Sequence, residues 1–297
     1  MPTIPPVDPA ASTANRFSGR VLLVTGAAIG SIGGCTAIRA AREGASVFCV
    51  DRKGPELDHT VAVIRAAGGQ AVALIADVAK ASEANQMVSE CVRHFGRMDL
   101  ALNAAGVMDG TDPAAPPDFA NNKSLLPSAI HEASDEYWDT VMSCNITSMF
   151  YSMRAELRQL VAQGQGGAIV NIGSIAGLTG LPGNPAYSAS KHAVIGLTRN
   201  ASIDYAPHGI RVNSVNMVQT DTPMVTRAYE FVKWAMEQGA GASMAGAKSQ
   251  SLLQMADSEH RGSTPWEQAA VILFLLSADA ANLTGLAMAT DGGWTAY

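Results

Sequence analysis

Tyr187 and Lys191 stand four residues apart in the run AYSASK, thirteen residues after Ser174 in IVNIGSIAG. On a helix, residues at i and i+4 project from one face about one turn apart. A phenol beside an ammonium is a tunable acid. Tyrosine ionises with a pKa of about 10, and a unit charge about 4 Å away at an effective dielectric of about 20 contributes roughly 4 kcal/mol, or about three pKa units. The pair predicts a phenol that exchanges protons near neutrality.

A second group of residues suits a nucleotide. The apolar run VLLVTG ends at Gly26 and continues AAIGSIGG into a helical pattern, so Gly26, Gly30 and Gly33 mark a sharp turn between the two. Such glycines let the backbone approach a pyrophosphate, and the free N–H groups of the following helix supply partial positive charge. Gly30, Ser31 and Ile32 are the candidates at the tip, with Gly30 or Ser31 filling the middle role. Asp51 lies 25 residues after Gly26 at the end of a second apolar run, close to the spacing at which a carboxylate accepts hydrogen bonds from ribose hydroxyls. A 2′-phosphate there would meet a like charge, so Asp51 predicts NAD over NADP, with Arg52 partly offsetting the repulsion. Asp77 and Val78 end a third run and are placed to cap the adenine ring.

The elements that carry these residues follow a repeated pattern. Short apolar runs at 21–26, 45–50, 71–77, 100–106, 167–174 and 210–215 are separated by longer segments with helical spacing. Between Gly30 and Gly44, Ile32, Cys35, Ile38 and Ala41 recur every third residue, and Gly44 sits where a helix C-terminal glycine belongs. Continuously apolar strands alternating with helices imply a parallel sheet buried on both faces. The fold class is a doubly wound α/β domain of residues 18–297, preceded by a flexible arm at 1–17. Two segments interrupt the rhythm after strands. The stretch 107–133 holds four prolines by residue 127 and cannot be one helix, and it emerges on the side where open α/β sheets bind ligands. The segment 219–263 is expected to be a substrate lid, with Met224, Phe231 and Trp234 joining Met217 in an apolar pocket.

Composition removes other classes. With 20 basic against 26 acidic residues the chain carries a net charge of −6, without the basic footprint of a nucleic-acid binder. No apolar stretch reaches the roughly 20 residues a membrane crossing requires. The four cysteines lack metal-ligand or disulfide-framework spacing, so no metal is expected. A cytoplasmic protein without a membrane or nucleic-acid partner is the expectation.

Together these residues resemble the short-chain dehydrogenase/reductase family, a Rossmann-like fold with about seven strands. The resemblance rests on TGAAIGSIG, Asp51, Asp77-Val78, NAAG at 103–106, Asn145 in MSCNITS, Ser174 and Tyr187-x-x-x-Lys191, in order across residues 18–297. It implies that Tyr187 is the general acid or base, that Lys191 lowers its pKa and holds the nicotinamide ribose, that Ser174 hydrogen-bonds the substrate oxygen, and that Asn145 positions a water. It implies further cofactor contacts from Asn103, Ala104, Ala105 and Gly106, and from Thr220 and Thr222. The expected activity is NAD(H)-dependent interconversion of a secondary alcohol and a ketone by a homotetramer, on an apolar or cyclic substrate. An NADPH enzyme resembling 3-oxoacyl carrier-protein reductases and a catalytically silent nucleotide-sensing scaffold are the alternatives. Two departures stand out: the glycine turn is one residue longer than the family's, and Met217-Val218 replaces a Pro-Gly before Thr222.

Overall fold

The computed structural model describes residues 2–238, 248 and 250–296. Its strands are β1 (Val21–Thr25), β2 (Ser46–Asp51), β3 (Gln70–Ile75), β4 (Leu100–Asn103), β5 (Gly167–Ile172), β6 (Ile210–Met217) and β7 (Ala287–Thr290). Between and after them run α1 (Ile32–Arg42), α2 (Gly54–Ala66), α3 (Ala81–Phe95), α4 (Asp135–Met142), α5 (Ser148–Gln163), α6 (Pro185–Tyr205), α7 (Pro223–Glu237), α8 (Leu252–Ala256) and α9 (Pro265–Leu276).

Strand β1 explains the layering. Leu22 and Val24 enter one core, which α1, α2 and α9 cover, while Val21 and Leu23 enter a second core, under α3, α5 and α6. Alternate side chains of a strand point to opposite faces, so a strand apolar at every position needs cover on both. The seven strands form one sheet in the order β3-β2-β1-β4-β5-β6-β7, with every neighbouring pair parallel. Chain order reverses between β1 and β4. That crevice, outside the carboxyl ends of the two strands, is where such sheets take ligands.

Local chemistry sets the element ends. Ser31 caps α1 by accepting from the Gly34 amide at 2.9 Å, and Gly44 follows the helix with φ of +98°, a conformation that glycine adopts without strain. Helix α9 starts with Pro265 after a Thr264–Glu267 capping box.

The interruptions also take shape. Residues 107–133 contain only one short helical turn, Lys123–Leu125, before Ser134 caps α4. Of the expected lid, α7 and α8 are described, while the small-residue run 239–247 and residue 249 lie outside the described residues. The N-terminal segment, expected to be a flexible arm, is hydrogen-bonded at several points. Glu43 accepts from the Thr13 amide at 3.1 Å and Arg16 at 2.6 Å, and Ile4 bonds Asp257 and Arg261. Polar side chains on the domain, together with Phe17 buried in the first core, hold the segment.

Candidate active site

Helix α6 starts at Pro185, so Tyr187 lies in its first turn and Lys191 one turn later. Both are buried, with 8% and 4% of their surface exposed. The Lys191 Nζ donates to the Ile172 carbonyl at 2.9 Å and lies 5.6 Å from the centre of the Tyr187 ring. Ser174 leaves β5 in an extended conformation, and its Oγ accepts from the Ala176 amide at 3.1 Å. The turn after it presses on α6: a Cβ on Gly177 would collide with the Lys191 carbonyl. That close approach sets the Ser174 hydroxyl where it lowers the pKa of the Tyr187 phenol.

Asn145 arrives by a different device. Between α4 and α5 the helix widens into a π turn, Ser143–Thr147, of the kind that re-aims a side chain at functional sites. The fully buried Asn145 accepts from the Val107 amide at 2.7 Å and donates to the Val107 carbonyl at 2.9 Å and to Ser190 at 3.1 Å. A Cβ on Gly106 would stand 3.0 Å from Asn145 Oδ1 and 3.7 Å from Lys191 Nζ. The four expected catalytic residues therefore converge, from three separate stretches of chain.

The electrostatics differ from the sequence expectation. Burial pushes the Tyr187 phenol above its ordinary value, and the Ser174 hydrogen bond pulls it back in part. Burial also holds Lys191 down, at about 8. The expected three-unit drop assumed an ammonium in a half-solvated setting. Here desolvation penalises both charged forms, and it outweighs their attraction.

At the β1–β4 crevice, the glycine turn meets the NAAG stretch. Gly26 has φ of +69°, and a Cβ there would come within 2.7 Å of Ala104. The amides of Ala104 and Ala105 donate to Thr25 Oγ1 at 3.2 and 3.4 Å, which locks the two turns together. Gly30 has φ of +77° with open space beside its Cα, whereas Ser31 spends its hydroxyl on Gly26, Ala28 and the helix cap. Gly30 thus takes the tip of the turn, Ser31 stitches it, and Ile32 begins α1. Asp51 closes the crevice: its Oδ2 accepts from the Ala28 amide and its Oδ1 from the Lys53 amide, both at 3.0 Å. Arg52 is exposed and Val78 buried. Asp77 accepts from the Ala79 amide at 3.1 Å. Asn103 is buried, bonded to Glu156 and Asn171.

The residues after β6 have local duties. Thr220 bonds Ser263 at 2.9 Å beside a parallel bridge between the same residues, and Thr222 caps α7. Met217 packs in the core with β5 and α9, apart from the apolar residues of α7. Met224 is exposed. Phe231 meets Phe119 of the 107–133 loop edge-on and Trp234 lies tilted against it, with ring centres 5.7 and 5.8 Å from it. Arg227 adds a polar clasp, donating to Thr111 at 2.7 Å and to the Ala115 carbonyl at 2.9 Å, with Asp109 at 3.8 Å. The two interruptions therefore form one wall. Phe119, Asp109, Thr111 and Arg227 escaped the sequence reading because 116 residues separate the clasp's partners. Tyr137, fully buried against Val107, Ala186 and Tyr187, escaped it too.

A family model for short chain dehydrogenases matches residues 20–233. The chain belongs to the short-chain dehydrogenase family. Among its relatives, the 3beta-hydroxysteroid dehydrogenase of Mediterraneibacter gnavus is 35% identical over 292 residues, covering 95% of this chain and 97% of the relative. The cyclohexanol dehydrogenase of an Acinetobacter species is also 35% identical, over 281 residues, with 95% and 97% covered. Carveol dehydrogenase from Mycobacterium avium, solved in complex with NAD, superposes with a TM-score of 0.80 at 25% identity, covering 96% of this chain and all of that one. This short-chain dehydrogenase is an oxidoreductase that interconverts alcohols and ketones. The nucleotide implied by the family fits its turn: Gly26 and Gly33 leave no room for a Cβ, Gly30 leaves open space, and the α1 amides begin there.

Proposed function

We propose that the enzyme is NAD(H)-dependent and interconverts an apolar or cyclic secondary alcohol with its ketone, with Tyr187 as the general acid or base. The observation that carries this reading is the convergence of buried Tyr187, Lys191, Ser174 and Asn145 beside the β1–β4 crevice. Bound NAD would accept or supply hydride. Gly26, Gly30, Ser31 and the α1 amides would hold its pyrophosphate, Asp51 its adenosine ribose, Asp77 and Val78 its adenine, and Asn103 to Gly106, Lys191, Thr220 and Thr222 its nicotinamide end.

In the reducing direction Tyr187 donates its phenol proton to the substrate oxygen, and Ser174 donates a hydrogen bond to that same oxygen as charge develops there. Lys191, held against the Ile172 carbonyl and the Tyr187 ring, stabilises the phenolate left behind. The wall of Phe119, Phe231 and Trp234 offers an apolar surface to the substrate, and relatives named for a hydroxysteroid and for cyclohexanol support a cyclic one. The family resemblance implies a homotetramer.

Two assays test the reading. NADH and NADPH at matched concentration, with a panel of cyclic and linear ketones, should give clear preference for NADH and for cyclic ketones. Preference for NADPH, or for small hydrophilic substrates, would refute it.

A further inference from the structure

Glu156 is fully buried on α5. Its Oε2 accepts from Asn103 Nδ2 at 3.0 Å, and its Oε1 has no partner. The neighbouring Asn103 Oδ1 also lacks one. Both orphaned atoms are acceptors if the carboxyl is ionised, and a buried acceptor without a donor is costly. One proton on Glu156 supplies the donor that this pair lacks, because a carboxylic acid and a primary amide can exchange two hydrogen bonds.

Among the described residues, no cation faces the carboxyl to favour its charge. The groups that act on it directly are Asn103 on β4 and the Cys91 thiol on α3, with Asn171 on β5 and Thr198 on α6 lying beyond Asn103 in the hydrogen-bond chain. Arg154 of the same helix stacks instead on Phe150 and Tyr151. Cys91 is itself pushed up to about 12, by burial first and then by Asp99 and Glu156, so it is neutral.

The contacts continue beneath the active site. Asn103 donates to Asn171 Oδ1 at 3.1 Å, and Asn171 donates to Thr198 Oγ1 at 3.0 Å. This chain joins the four elements that present the site: α5 begins just after the turn bearing Asn145, β4 ends at Asn103, β5 leads to Ser174, and α6 carries Tyr187 and Lys191. We propose that Glu156 is a neutral carboxylic acid that acts as a positioning residue, fixing Asn103 and through it the crevice in which the nucleotide is read to bind. The last clause rests on the proposed function, and the protonation does not.

Burial raises the carboxyl to about 7, with the Asn103 hydrogen bond opposing. A carboxyl with a raised folded-state pKa contributes stability that is fully present below its unfolded value and is lost as pH rises through the folded one. The window is thus roughly pH 4.5 to 7. Infrared difference spectra between pH 5.5 and 8.5, with glutamate carrying 13C, should contain the carbonyl band of a buried carboxylic acid that E156Q lacks. Thermal unfolding should weaken from about pH 4.5 to 7 in the wild type, and the fall should be smaller in E156Q, whose amide makes both bonds without a titrating proton. NADH fluorescence titrations should weaken several-fold more in the wild type than in E156Q between pH 5.5 and 7, below the titration of Lys191. Absence of the acid band at pH 5.5, or equal pH slopes for both proteins, would overturn the assignment. Failure of NADH to bind at any pH would refute the proposed cofactor while the band and the unfolding slopes still decide the protonation.

Discussion

Burial acts on Tyr187 and Lys191 in opposite directions, and in both it favours the neutral form. Reduction needs the phenol protonated and the lysine charged. With Lys191 at about 8, kcat/KM for ketone reduction should fall as pH rises through that value, and a pH–rate profile measures this. A flat profile from pH 7 to 9 would remove Lys191's charge from the chemistry. Asp51 makes a second prediction at this scale: Asp51→Ala should weaken NADH binding at least about tenfold, the loss of one charge-assisted hydrogen bond, while leaving NADPH binding nearly unchanged. Parallel titrations would decide it, and equal losses would place the carboxylate away from the ribose. These residues were legible because local spacing carries them. The direction of their pKa shifts was not, because it depends on burial from distant segments.

The wall formed by α7 and the 107–133 loop shows what spacing alone misses. Proline content correctly excludes a continuous helix in the loop, and aromatic spacing marks α7. Neither says that the two would meet, because the Phe119 contacts and the Arg227 clasp join segments more than 100 residues apart. Met217 belongs to the core for a similar reason: it ends a strand paired with β7, so its side chain follows the alternation of the sheet. Arg227→Met keeps the apolar stem and removes the clasp. That variant should be cut faster by protease within 107–133 and show a higher KM for a cyclic ketone with a smaller change in kcat. Unchanged proteolysis and KM would mean that the aromatic contacts alone hold the wall.

Across the whole molecule, the alternation of apolar and helical segments was enough to specify a parallel sheet with helices on both faces. The attachment of the first residues was not, since it depends on Glu43, a fully buried carboxylate that pairs with Arg39 at 3.0 Å and also with Arg16. Nothing local to residues 1–17 announces a partner at the end of α1. Removing one member of a buried ion pair typically costs about 3–5 kcal/mol. Glu43→Ala should therefore lower unfolding stability by about that amount, measured by denaturant titration, and free the N-terminal segment to proteolysis. A loss below about 1 kcal/mol would show that the segment contributes little to the domain.

The central claim is that Tyr187 transfers the proton in this enzyme's alcohol and ketone chemistry. The most direct measurement compares wild type and Tyr187→Phe with NADH and a cyclic ketone, following both turnover and NADH binding. A lost general acid predicts a fall in kcat of about 100-fold or more, with NADH affinity essentially retained. Turnover undiminished in the phenylalanine variant would contradict the account.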